Sequence, residues 1–175
     1  MGICRKLVSK MDKNQFTKEL TKWLKNFLTD KFGRDYESIE VIAPDRDLKR
    51  LNHPDIRTLE GSHAWEFTPD IIAILKGKDT RIVLLNRSMS AISLKEIGEM
   101  YCYALLANPL LALVISPKAA SSEVNGILLD KLMQKQILTY NGNNQILVLG
   151  WSAEQNTVDL NSVIPLEKKD FFKKA

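Results

Sequence analysis

Apolar residues recur at Phe16, Leu20, Trp23, Leu24, Phe27 and Leu28, in the steps of three and four that mark one face of a helix. Lys18, Lys22, Lys25 and Lys31 fill other positions, and Gly33 is placed to end the element. The pattern predicts an amphipathic helix over 13–32. The period then changes. Tyr36, Ile39, Val41 and Ile42 favour extended backbone, and Pro44 closes a strand over 36–43. Two denser apolar runs follow, Ile71-Ile72-Ala73-Ile74-Leu75 and Ile82-Val83-Leu84-Leu85. Neither alternates, so both predict strands covered on two faces, over 67–76 and 81–86. The short Gly77-Lys78-Asp79-Thr80 break makes them an antiparallel hairpin.

Helical spacing returns from Ser93 to Ala107, with Ile97, Met100, Tyr101, Ala104 and Leu105 as the buried stripe. Ser93 with Glu96 carries the capping-box signature, and Asn108-Pro109 ends the helix. A compact strand over 110–116 comes next. A single helix is predicted from Ser121 or Ser122 to about Gln136, facing Val124, Ile127, Leu128, Leu132 and Met133 inward. The Asn141-Gly142-Asn143-Asn144 turn leads into a last short strand over 146–149. Residues 45–65 read as a polar, irregular insertion, either a basic arm or a solvated loop. This order predicts an α/β three-layer sandwich with a mixed central β-sheet flanked by helices. One domain is expected over 1–175, with a core at about 13–150 and a C-terminal extension over 151–175.

Composition narrows the picture. A chain of 175 residues, 45% hydrophobic and 26% charged, has enough material for one ordinary core. No apolar run approaches the roughly 18–20 residues of a membrane span. Met1 to Lys10 has no apolar centre of the secretory kind. Cys4 and Cys102 stand alone, without zinc-ligand spacing, and read as reduced thiols. A cytoplasmic protein is expected. The net charge of +4 and pI near 9.0 suit a polyanionic partner. Phosphate-cradling glycine motifs and a nucleophile elbow are missing, and His53 and His63 lack metal-ligand spacing. Trp65 either packs or stacks on a base.

The chemistry-bearing residues cluster between 69 and 103. Pro69-Asp70 opens the second strand of the core, Leu85-Asn86-Arg87 ends the third, and the next helix carries Glu99-x-x-x-Tyr103. In this order they resemble the PD-(D/E)xK nuclease superfamily, RecB-like branch, over about residues 13–150. The resemblance implies a restriction-endonuclease-like core, DNA as partner and Mg²⁺ held by two acids. It also implies a lysine that orients the attacking water, and a homodimer where both strands are cut. The sequence departs at two places. Leu85 stands where the second acid belongs, and leucine binds no metal. Arg87 stands where the lysine belongs; arginine grips a phosphate but is no base.

Glu99 lies on the following helix, where some restriction enzymes carry a migrated second acid, and Glu96 shares its face. Glu19 is similar to the first-helix acid of some members. The resemblance therefore implies a site of Asp70, Arg87, Glu99 and Tyr103, with Asp70 and Glu99 as the Mg²⁺ ligands. Two readings follow. One is metal-dependent phosphodiester hydrolysis. The other is a catalytically inactive member of the fold that binds nucleic acid or another protein. A third, an unrelated α/β protein in which Pro69-Asp70 is chance, stays open.

Overall fold

Asp12 starts the first helix, α1 (Lys13–Phe32), by accepting the backbone N–H of Gln15 at 2.8 Å. The computed structural model describes residues 11–173, so Cys4 lies outside the described residues. The apolar stripe of α1 is buried through Phe16, Leu20, Leu24, Phe27 and Leu28. An edge strand, β1 (Ser38–Ile42), pairs antiparallel with β2 (Ile71–Lys76), which pairs antiparallel with β3 (Arg81–Arg87). The register sets Ile71 opposite Leu85 and Ile72 opposite Leu84.

Between β1 and β2 the chain is ordered rather than an irregular arm. It forms a short helix α2 (Pro54–Arg57) and a 3-10 turn (Ser62–Ala64). Leu48, Ile56 and Trp65 are buried in the core, and the backbone N–H groups of Leu48 and Lys49 bond the carbonyls of Phe67 and Trp65. Trp65 is thus a packing residue, in contact with Phe67. His53 caps α2 by accepting from Asp55 N–H at its Nδ1, which leaves Nε2 to meet Glu40 at 2.9 Å.

The helix α3 (Leu94–Ala107) crosses from β3 to the parallel strand β4 (Leu111–Ser116). The predicted helix over 121–136 is two, α4 (Ser122–Leu128) and α5 (Lys131–Leu138). The Asp130 carboxylate accepts the N–H groups of Leu132 and Met133 and starts a new helix in a new phase. Leu132 and Met133 consequently face outward, against expectation, and Gln134 and Leu138 face in. A two-residue strand, β5 (Thr139–Tyr140), turns through Asn141 and Gly142, both at positive φ, into β6 (Asn144–Ser152). That strand is nine residues long, not the short one predicted. It lies parallel to β4 and antiparallel to β5.

The chain does not end its sheet there. Strand β7 (Thr157–Ile164) pairs antiparallel with β6, and a second 3-10 segment (Leu166–Phe172) follows. The result is a mixed seven-stranded sheet with helices on both faces. One face packs Ile72, Ile74, Ile82, Leu84, Ala112 and Val114 beneath α3, α4 and α5. The other packs Ile71, Ala73, Leu75, Val83 and Leu85 beneath α1, whose outer end meets Phe171 and Phe172. Both central strands are covered twice, as their unbroken apolar runs predict. No helix among the described residues is long and apolar enough to cross a membrane.

Candidate functional site

Asp70 sits one residue before β2, and the hairpin register carries it to the end of β3. Its backbone N–H donates to Asn86 Oδ1 at 3.2 Å, and its Oδ2 accepts the backbone N–H of Arg87 at 2.8 Å. The Arg87 guanidinium lies 3.7 Å from Asp70 Oδ1 through Nη2, and its Nε donates to Thr17 Oγ1 of α1 at 2.6 Å. The Arg87 side chain is only 10% exposed and that of Asp70 31%. Two of the four expected site residues are therefore joined directly, and a threonine from α1 completes the linkage.

Glu99 and Tyr103 form a second pair. Four residues apart on α3, they share a face. Tyr103 donates its hydroxyl to Glu99 Oε1 at 2.6 Å while its ring stacks on Phe67 with centroids 4.4 Å apart. Burial, the hydrogen bond to Glu99 and the charges of Glu99 and Asp70 push the Tyr103 hydroxyl well above its usual range. Asp70 is near enough to be felt, yet no hydrogen bond or ion pair joins the two pairs. Glu96 closes the capping box, donated to by Ser93 N–H at 2.8 Å. Burial pushes its carboxyl up, but the Ser93 hydrogen bonds outweigh this and hold it below the usual range.

Mg²⁺ takes oxygen ligands in near-octahedral array, and carboxylates anchor it. Asp70 already accepts from Arg87, Glu99 accepts from Tyr103, and Leu85 is fully buried under α1. Among the described residues, no three His, Cys, Asp or Glu side chains gather as a ligand set. The Arg87 guanidinium, 3.7 Å from Asp70 Oδ1, already supplies positive charge beside that carboxylate.

What the two faces do build is an open groove of about 1180 Å³ between α1 and the β1–β2 edge. Asp70 and Arg87 lie at one end. Lys18, Lys22 and Lys25 line it from α1, with Asn14, Thr17 and Thr21 between them. The cations outnumber the two carboxylates, Asp70 and Glu40, and Glu40 is engaged by His53. Lys25 donates to the Ile39 carbonyl and braces α1 against β1. Neither Glu99, Tyr103 nor Glu19 lines this groove. In the sequence the lysines fall on the polar side of α1 with nothing beside them to mark a role. Their spacing at 18, 22 and 25 was the available signal, a single row along the helix.

The chain matches no family model, and no curated protein and no solved structure matches it.

Proposed function

We propose that this protein binds the sugar–phosphate backbone of DNA without cutting it, as a catalytically inactive member of the PD-(D/E)xK superfamily. The observation that carries this reading is the Thr17–Arg87–Asp70 linkage at the end of a lysine-lined groove. A guanidinium held in a fixed orientation by Nε still offers Nη donors to a phosphate, and arginine binds phosphate through two parallel N–H groups. Lysines along one helix row then supply point charges for successive phosphates. The order of strand, strand and helix around Pro69-Asp70 supports the family assignment, and the buried Leu85 supports the loss of cleavage.

The test is a salt titration of oligonucleotide binding, followed by fluorescence anisotropy between about 50 and 200 mM salt. Lys18 and Lys22, the two groove cations with no partner among the described residues, give on contact with phosphate a slope of log K on log salt of about −1.4 on a single strand. Replacing Lys18 and Lys22 together by alanine should flatten the slope by roughly 1.4. A wild-type affinity indifferent to salt would refute the groove as the binding surface. Plasmid nicking in Mg²⁺ or Mn²⁺, abolished by Asp70→Ala, would instead establish the cleaving reading.

A further inference from the structure

The opposite flank of α1 carries a second concavity. It encloses about 180 Å³ between α1, the β6–β7 turn and the closing 3-10 segment. Trp23, Phe27 and Phe172 make its apolar wall, with Trp23 and Phe27 stacked at 5.2 Å and Phe27 and Phe172 at 5.3 Å. Polar ends ring it: Glu19, Asn26 and Asp30 from α1, and Asn156 and Thr157 from the turn. Lys31 and Lys173 also border it, but Lys31 donates to the Lys173 carbonyl and Lys173 pairs with Asp170. Lys22 lines both this cavity and the basic groove.

We propose that this cavity takes a nucleobase splayed out of a single strand whose backbone follows the lysine row of the groove. The inference rests on the groove reading above. Size is the first argument. The cavity holds about six waters at ~30 Å³ each, too little for a drug-sized ligand but enough for one planar ring system. Chemistry is the second. Trp23, the one partly exposed ring of the wall, offers apolar aromatic surface, and unstacked bases are held by aromatic side chains together with hydrogen bonds to their edges. The two asparagine amides each donate and accept, while the two carboxylates accept from exocyclic amino groups. A simple anion is disfavoured by Glu19 and Asp30, and a bare cation by Lys22. A neutral ring with donors and acceptors on its rim satisfies both.

Connection is the third argument. Residues 18, 22 and 25 form one row on α1, and 19, 23, 26 and 30 form the adjacent row. A phosphate at Lys22 would therefore have its base within reach of the helix flank carrying Trp23. A duplex keeps its bases stacked inside, so this geometry selects single strands.

The experiment compares an oligodeoxyadenylate with an abasic strand of equal length and charge, by anisotropy on the full chain. The intact strand should bind at least tenfold tighter. Asn26→Phe, which places a ring at the cavity mouth from an exposed helix position, should bring the intact strand to the abasic level. Because the substitution could perturb folding, adenosine alone is also titrated into the wild-type protein and followed by amide chemical shifts. Shifts confined to residues 19–30 and 156–157 are expected. Equal binding of intact and abasic strands, with no adenosine shifts there, overturns the cavity and leaves the groove reading standing. Salt-insensitive or absent binding of both strands overturns both.

Discussion

Arg87 is a charged side chain held nine-tenths out of water, and such a group needs a partner. Asp70 provides it twice, through the guanidinium and through the Arg87 backbone N–H. Asp70→Ala leaves that N–H without its acceptor and the guanidinium without its counter-charge, so a loss of about 1–3 kcal/mol is expected in a urea unfolding curve. Asp70→Asn is the more telling change. It keeps an oxygen for the N–H and removes a negative charge from the groove, so oligonucleotide affinity at low salt should rise several-fold. A metal-dependent nuclease gives the opposite sign, because Asn is a poorer ligand for the ion. A binding isotherm for the Asn variant, read with and without Mg²⁺, decides between them.

The helix α3 shows how far local signals reach. Ser93 and Glu96 form the capping box their spacing predicts, and Ile97, Met100 and Ala104 are buried as the periodicity requires, whereas Tyr101 is half-buried and Leu105, expected on the same stripe, is exposed. Ser93→Ala should cost about 1 kcal/mol. The Glu96 carboxyl is held low in the folded state, so its contribution is full above the ordinary glutamate range. It is lost as pH falls through the lowered value. Acid unfolding of wild type and Glu96→Gln should therefore converge as that range is crossed downward. The hairpin made Asp70 and Arg87 legible as neighbours, because strand pairing fixes their register through a short turn. The Glu99–Tyr103 pairing was legible in its four-residue spacing; the distance of Glu99 from the groove was not. The phase of α3 turns its apolar stripe to the sheet and leaves Glu99 to Tyr103, a choice set by packing against Phe67. The break between α4 and α5 was hidden for another reason. Apolar residues continue through 124, 127, 128, 132 and 133 at helical spacing, and only the reach of the Asp130 carboxylate to two N–H groups shows the restart. Asp130→Ala should lower stability by about 1 kcal/mol in the same urea assay.

At the scale of the whole molecule, the sheet depends on the segment that composition makes look dispensable. Residues 152–173 are polar at most positions, yet they form the strand covering the outer edge of β6. Val158, Val163 and Phe172 are buried from this segment against Trp151, Leu147, Leu149 and Phe27. A strand with only two buried positions, five residues apart, has too little apolar pattern to announce itself, and its partner supplies what it lacks. Each large apolar side chain removed from water contributes about 1.5–3 kcal/mol. Deleting residues 153–175 removes three of these and bares the neighbours they cover, including Trp151 and Phe27. Whole domains of this size are stable by only about 5–15 kcal/mol. The truncated chain should therefore lose its cooperative urea transition in circular dichroism, and exposed β6 should drive it to aggregate. If it instead unfolds cooperatively with an unchanged midpoint, the aromatic cluster between α1 and the C-terminal segment is not part of the folding unit. The cavity beside Trp23 would then lose Phe172 from its wall without loss of the basic groove, since no residue beyond Arg87 lines that groove.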